Sequence, residues 1–120
     1  MLSTQQRVTD GAEFAEVIRG GRRTGRTHLV VYYAARSRRT EARAGNTRAG
    51  FVVSKAVGTA VVRNRVKRRL RHLVAARLPE LPPGSLVVVR ALPSAATAGS
   101  AELGRDLDSA LRKLLSGGRS

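Results

Sequence analysis

The clearest hydrophobic pattern along the chain has the period of an α-helix. It runs over about Thr59–Leu78 and again over about Ala101–Leu115, where apolar residues recur every three or four positions and form one stripe. A further helix is predicted to begin at Asp10, with Glu13 completing a capping box, and to end at Gly20. The stripe residues of the two long helices are Val62, Val66, Leu70, Leu73 and Val74, with Arg77 at the edge, and Leu103, Leu107, Leu111 and Leu114.

Three shorter segments have the composition of β-strands, at Thr27–Ala35, Arg48–Ser54 and Ser85–Ala91. In the first, successive side chains point to opposite faces, so Tyr32 and Tyr33 are predicted on different sides of the sheet. The third contains a continuous apolar run and is predicted to be buried on both faces. The order helix, strand, strand, helix, strand, helix predicts a single two-layer α/β sandwich, in which helices pack on one sheet.

The charge of the chain is strongly positive and unevenly distributed. Of its 120 residues, 23 are Lys or Arg and 8 are Asp or Glu, which gives a formal net charge of +15. No acidic residue stands between Glu41 and Glu80, although ten of the basic residues do. A nearby carboxylate would repel a phosphate group, so this stretch indicates a surface that faces a polyanion. The alternative, a solvated face in a generally Arg-rich chain, would be expected to carry interleaved Glu residues.

Residue types needed for catalysis or for metal binding are scarce. The chain has no Cys, and His28 and His72 have no partner at metal-ligand spacing. The longest apolar stretch, about Leu29–Ala35, is too short to span a membrane, and residues 1–7 lack the apolar core of a signal peptide. We therefore expect a cytoplasmic protein that makes no membrane contact and contributes no catalytic side chain or metal ligand of its own.

The most concentrated positive charge lies within the middle helix, in the sequence Arg63-Asn64-Arg65-Val66-Lys67-Arg68-Arg69-Leu70-Arg71. A folded helix can present such an array to a row of phosphates, and the release of counterions then supplies much of the affinity. Asn64 adds a neutral donor and acceptor, suited to a 2′-hydroxyl or a base edge. A helix-turn-helix DNA-binding protein is a weaker interpretation, because no helix with a short turn precedes the basic helix.

The middle of the chain resembles the signature of the protein subunit of bacterial ribonuclease P. The resemblance rests on Gly50–Lys55, on Val57-Gly58 and above all on Ala60–Arg71, and it extends from about Arg7 to Leu115. The length predicts one domain over residues 1–120, with an ordered core of about 7–115, and the polar composition of 36–47 and the glycines of 116–120 predict mobile segments there. The resemblance implies the topology α-β-β-β-α-β-α, with a left-handed crossover through the basic helix. That topology has one strand more than the hydrophobic pattern predicts, near Arg22–Thr27 or before Arg48.

The resemblance also implies a function and a set of partners. In this family the RNA subunit catalyses the magnesium-dependent endonucleolytic removal of the 5′ leader from precursor tRNA, and the protein subunit assists. The expected partners are therefore ribonuclease P RNA and precursor tRNA, with no DNA and no obligate protein partner. No cofactor is expected on the protein alone, and Mg²⁺ is expected in the RNA-containing holoenzyme. The alternative from another class is an RNA-binding module such as a ribosomal protein or an RNA chaperone.

The matching positions give two groups of candidate site residues. The residues implied to contact the catalytic RNA are Arg63, Asn64, Arg65, Lys67, Arg68 and Arg71. Those implied in a cleft that holds the single-stranded leader are Phe14, Ile18, Tyr32 and Lys55. The chain departs from the family pattern at Ile18, where an aromatic residue is frequent, and at Ala56, where a second Lys is usual.

Overall fold

The structure is a computed structural model that describes residues 17–19, 21–34, 47–82 and 84–116. The predicted helix start at Asp10 and the predicted cleft residue Phe14 lie outside these ranges, as do most of the predicted mobile segments. Within the described ranges the chain forms four strands, two long helices and three short 3-10 turns.

The strands form one sheet in the order β1-β2-β4-β3, with β1 at Arg22–Gly25, β2 at Leu29–Ala34, β3 at Arg48–Val52 and β4 at Leu86–Ala91. The pairs β1–β2 and β2–β4 are antiparallel, whereas β3 and β4 are parallel. Parallel neighbours need a crossover connection, which here contains a helix. The left-handed sense of this crossover stays a prediction.

The additional strand implied by the family topology is β1, at the first of the two places considered. The hydrophobic pattern does not predict it because β1 is an edge strand in which only Thr24 is buried. Its other residues are two arginines and a glycine, all exposed. An edge strand of this kind is held by its ladder to β2, in which Arg23 pairs with Tyr32 and Gly25 with Val30.

Both long helices begin and end within two residues of the predicted positions. Helix α1 covers Ala60–Arg77 and helix α2 covers Ser100–Ser116, while the 3-10 turns lie at Lys55–Val57, Leu78–Glu80 and Pro93–Ala96. In the part of the chain that the structure describes, no helix has the length and apolar character needed to cross a membrane.

Helices α1 and α2 pack side by side on the same face of the sheet, and their apolar stripes form the main core. The predicted stripes are confirmed, except that Val62 and Leu73 are only partly buried at the margin of this core. The central strands contribute the residues that point toward the helices, so Tyr33 belongs to the main core and Tyr32 to the opposite face. The buried helix residues are Val66, Leu70 and Val74 of α1 and Leu103, Gly104, Leu107, Ala110, Leu111 and Leu114 of α2.

An ion pair joins the two helices at the end of α1. Arg77 donates from Nε and from Nη2 to the two carboxylate oxygens of Asp108, the second bond at 3.1 Å, and from Nη1 to the carbonyl of Leu73 at 2.7 Å. The hydrogen bond from Arg77 lowers the pKa of Asp108, and the same bond raises the pKa of Arg77. Arg77 therefore stabilises the contact between the helices, and its guanidinium is engaged within the protein.

Candidate nucleic-acid interface

The amino end of α1 is free of negative charge. Thr59 caps the helix by accepting a hydrogen bond from the backbone N–H of Val62 at 3.4 Å, and the first turn contains no acidic residue. Gly58 precedes the cap with φ 155°, and a Cβ at this position would lie 3.0 Å from the Val62 side chain. The unpaired N–H groups and the helix dipole make such a helix end favourable for an anion.

The outer surface of α1 is a cationic stripe directly opposite its buried stripe. Helical spacing places Arg65, Arg68 and His72 on this outer surface, with Asn64 beside them, and all four are exposed. No carboxylate occurs anywhere in α1, so nothing on the helix itself neutralises these arginines. The structure therefore brings the predicted residues Asn64, Arg65 and Arg68 together on one accessible surface.

A second cationic stripe occupies the flank of α1 that faces away from α2. It consists of Arg63, Lys67 and Arg71, which follow each other at one-turn intervals and are partly buried. Nε of Arg63 is buried and has no hydrogen-bond partner within the described residues. This flank therefore adds three cations of the predicted set to the surface of α1.

Three other basic residues of the acid-free stretch are engaged within the protein. Arg48 lies in β3 and is 2% exposed, so it does not contribute to the cationic surface. Arg69 donates to the backbone carbonyl of Ala98 at 3.1 Å, and Arg77 forms the ion pair with Asp108. The sequence groups these arginines with the others by their charge, whereas in the structure Arg48 is buried and Arg69 and Arg77 are bonded within the protein.

The sheet face opposite to α1 and α2 is covered at one end by residues 17–19, which are helical. Val17 packs there against Tyr32, Leu86 and Val88. The chain turns back at Gly21, where a Cβ would lie 2.8 Å from the carbonyl oxygen of Tyr33, so this close approach requires glycine. We call this side of the sheet, as formed by the described residues, the open face.

A groove of about 370 Å³ lies on the part of the open face that is formed by β1, β2 and β4. Tyr32, a predicted cleft residue, lines it, although Tyr32 is buried and only 6% exposed. Ile18 is 41% exposed next to Val17 and is not among the lining residues. Lys55 is exposed in the 3-10 turn after β3 and is not among them either. Of the predicted cleft residues that are described, only Tyr32 therefore lines the groove.

Sequence reasoning misses the two arginines of this groove, Arg23 of β1 and Arg90 of β4. The prediction that β4 is buried on both faces is wrong at Arg90, which is exposed in an otherwise buried strand. A signal was present in the sequence, because Arg90 is the one charged residue within the apolar run of β4. An arginine in such a position indicates that the face on which it stands is open at that point.

One cluster of polar side chains has the residue types of a nucleophile and its base. Nδ1 of His28 lies 2.8 Å from Oγ of Ser94, and Nε2 of His28 lies 3.5 Å from a carboxylate oxygen of Glu102. The Ser94 hydroxyl, however, donates to the carbonyl of Thr27 at 3.0 Å, and the backbone N–H of His28 donates to Asp106 at 2.9 Å. These bonds fasten the β1–β2 turn to α2 and to the 3-10 turn at Pro93–Ala96, which is a structural role.

The sheet with helices on one face, together with the arginine-covered surface of α1, defines a small basic α/β protein of the RNA-binding class. The family model for ribonuclease P matches residues 2–115. The chain belongs to the ribonuclease P protein family, as the motif in α1 indicates. Ribonuclease P, tRNA processing and RNA binding are thus its functional setting.

Individual relatives agree with this assignment. The ribonuclease P protein component of Streptomyces bikiniensis is 60% identical over 123 residues, which cover 98% of this chain and 98% of the relative. The protein component from Corynebacterium diphtheriae is 50% identical over 115 residues, with coverage of 95% and 97%.

Solved structures match the fold. The RNase P protein from Staphylococcus aureus has a TM-score of 0.75 at 24% identity, covering 89% of this chain and 93% of that chain. The protein from Thermotoga maritima has a TM-score of 0.66 at 21% identity, covering 85% and 88%. These matches confirm the predicted α/β fold class.

Proposed function

We propose that this protein is the accessory subunit of ribonuclease P. It binds the catalytic RNA and the 5′ leader of precursor tRNA, and it assists the magnesium-dependent endonucleolytic removal of the leader that gives the mature 5′ end. The catalytic groups belong to the RNA subunit in this proposal. The observation that supports it most strongly is the pair of cationic stripes on the surface of α1, in a chain that belongs to this family.

The surface of α1 supports binding to a folded RNA. Arg65 and Arg68 project from the outer stripe, while Arg63, Lys67 and Arg71 project from the adjacent flank. Together these stripes cover a broad arc of one rigid helix, so they can contact phosphates from more than one strand. Guanidinium groups suit this task because each can donate two parallel hydrogen bonds to one phosphate.

The anchoring of α1 supports a fixed register on that RNA. Val66, Leu70 and Val74 are buried in the main core, and Thr59 caps the amino end. A helix fixed in this way loses little conformational entropy when it binds, so the interaction energy of its arginines is available for affinity.

The open face supports the second half of the function, contact with a single-stranded leader. Its groove is lined by aliphatic residues and arginines, and by the largely buried side chain of Tyr32. Aromatic and aliphatic surfaces accept bases of any sequence, and neighbouring arginines accept the backbone. A leader that differs between precursors requires this kind of sequence-tolerant site.

The magnesium ions of the reaction are assigned to the RNA in this proposal. The described residues contain no group of three His, Asp or Glu side chains that could hold a metal ion. All four described carboxylates, Glu80, Glu102, Asp106 and Asp108, lie in α2 or directly after α1. They are therefore in the helix layer, away from the groove on the open face.

The proposed function is tested by the affinity of tRNA for a complex of this protein with a bacterial ribonuclease P RNA. We expect the protein to tighten binding of precursor tRNA by tenfold or more, while the affinity for mature tRNA changes much less, because only the precursor has a leader to occupy the open face. An equal effect on the two tRNAs would contradict leader recognition. A ribosomal protein or RNA chaperone would give no selective tightening.

A further inference from the structure

A slot of about 320 Å³ lies between helices α1 and α2, at the amino end of α2. It is lined on the α1 side by Arg68, Arg69, His72 and Leu73, and on the α2 side by Ser100. Its volume falls within the range of about 300–1,000 Å³ that is typical of small-ligand sites. The slot is separate from the groove on the open face, because α1 and α2 pack on the other face of the sheet.

The slot exists because the start of α2 carries no large side chain. Gly99, Ser100 and Ala101 are all exposed, and none of them has a side chain long enough to cover the neighbouring turn of α1. Leu73 is therefore only partly buried, at the margin of the main core. An apolar side chain left open between two helices contributes favourable free energy when a ligand covers it.

The described residues at the rim of the slot are basic or neutral, and none is a carboxylate. Arg68 and His72 are exposed one turn apart on α1, and neither forms a hydrogen bond or an ion pair with a described residue. Glu102, in the first turn of α2, is engaged elsewhere, since its carboxylate accepts from the backbone N–H of Gly99 at 3.1 Å and lies 3.5 Å from Nε2 of His28. The slot therefore combines an apolar interior with a rim that attracts an anion.

Arg69 gives the slot one fixed side. Its Nη1 donates to the backbone carbonyl of Ala98 at 3.1 Å, and the arginine is partly buried while Ala98 is fully packed. A guanidinium group that is held in this way loses little further freedom when a planar ligand contacts it.

We infer that the slot binds one unpaired nucleotide of the catalytic RNA, with its base against Leu73 and His72 and its phosphate on Arg68. The inference rests on the proposed function, and it adds His72, Leu73 and Ser100, which lie outside the signature block, to the RNA-binding surface. An unpaired nucleotide carries a planar, largely apolar base and an anionic phosphate in one small unit, which matches the two parts of the slot. A double helix keeps its bases stacked inside and presents no single base to such a slot.

The position of the slot favours RNA over an acidic peptide as the occupant. The slot opens beside the outer cationic stripe of α1, where Arg65, Arg68 and His72 follow each other at one-turn intervals. An RNA strand whose phosphates follow this stripe brings its bases to the slot without a second binding surface. An acidic peptide would have to displace that RNA in order to reach Arg68.

The test measures the affinity of a bacterial ribonuclease P RNA for the full-length protein. Ser100→Leu fills the slot without changing the charge, so we expect Kd to rise about tenfold while the slope of log Kd against log salt stays as in the wild type. The matched control is Ala101→Leu, which adds the same side chain at the next exposed position of α2, outside the slot, and should leave Kd unchanged. Thermal unfolding of both variants verifies that the fold is retained.

A second pair of variants tests the contact with the base. His72→Ala removes the ring and should weaken RNA binding about fivefold, whereas His72→Phe keeps a planar ring and should bind within about twofold of the wild type. His72 is exposed, so neither change should alter the unfolding temperature. Equal losses of affinity in the two variants would contradict a stacking contact.

Chemical probing of the RNA identifies the nucleotide. Dimethyl sulfate and a carbodiimide together modify the Watson–Crick edges of all unpaired bases. With the wild-type protein we expect one unpaired base to be protected from them through the slot, and Ser100→Leu should restore the modification of that base alone.

The outcomes distinguish the inference from the proposed function. If the RNA does not bind the wild-type protein, the proposed function fails. If the RNA binds but Ser100→Leu leaves both Kd and the protected base unchanged, the nucleotide slot is overturned while the proposed function stands. If Ser100→Leu weakens binding without exposing any base, the slot does not hold a nucleotide, and the inference is overturned in favour of another occupant such as an acidic peptide.

Discussion

The double variant Arg65→Ala/Arg68→Ala is expected to bind ribonuclease P RNA about 100-fold more weakly than the wild type. Both arginines project from the outer stripe of α1, opposite the buried residues Val66 and Leu70. A hydrogen bond to a charged group contributes about 1.5 kcal/mol or more, and two of them correspond to about 3 kcal/mol, or two orders of magnitude in Kd.

The salt dependence of binding shows whether these arginines contact phosphates. Each lost phosphate contact should lower the slope of log Kd against log salt by about one unit, so the double variant should lose about two. The variant Arg112→Ala/Lys113→Ala, which removes the same charge from exposed positions on α2, is the control for a general effect of net charge. An unchanged slope in the α1 variant, or an equal loss in the control, would assign Arg65 and Arg68 to solvent.

The variant Leu70→Ala is expected to lower the free energy of unfolding by about 2–5 kcal/mol. Leu70 is 0% exposed at the centre of the stripe with which α1 packs on the sheet, so truncation leaves a cavity that the surrounding side chains cannot fully fill. This loss is a large part of the total stability of a small domain, about 5–15 kcal/mol. Denaturant or thermal unfolding of the protein without RNA measures it.

The control for this variant lies on the same helix. Val61 is 70% exposed, so Val61→Ala should change the free energy of unfolding by no more than about 0.5 kcal/mol. Under conditions in which Leu70→Ala is still folded, its arginines are unchanged and its RNA affinity should stay close to that of the wild type. A small effect of Leu70→Ala on stability would contradict the assignment of this stripe to the core.

Much of the fold can be predicted from the sequence because apolar periodicity is strong where an element has one buried side. The stripes of α1 and α2 and the alternation of Tyr32 and Tyr33 in β2 are of this kind. Strand β1 has no such pattern, since at the sheet edge only Thr24 is buried. The order of strands depends on contacts between distant segments, which periodicity does not encode.

The sequence predicts the cationic surface of α1 better than it predicts the groove on the open face of the sheet. The motif in α1 specifies residues at fixed helical spacing, so Arg65 and Arg68 could be placed on one surface from sequence. The flank on which an arginine lies relative to α2 required the tertiary structure, which engages Arg69 and Arg77 within the protein. Arg23 and Arg90 are far apart in sequence, and only the strand order brings them to one groove.

The most direct test of the account is the rate of leader removal by a bacterial ribonuclease P RNA at low magnesium concentration, with and without this protein. The central claim is that a cationic, rigidly packed helix binds the catalytic RNA while the opposite sheet face binds the leader, so that the repulsion between two polyanions is reduced. We predict strong stimulation of cleavage by the wild-type protein and a large loss of stimulation in Arg65→Ala/Arg68→Ala. Cleavage that is no faster with the wild-type protein than without it would contradict the account.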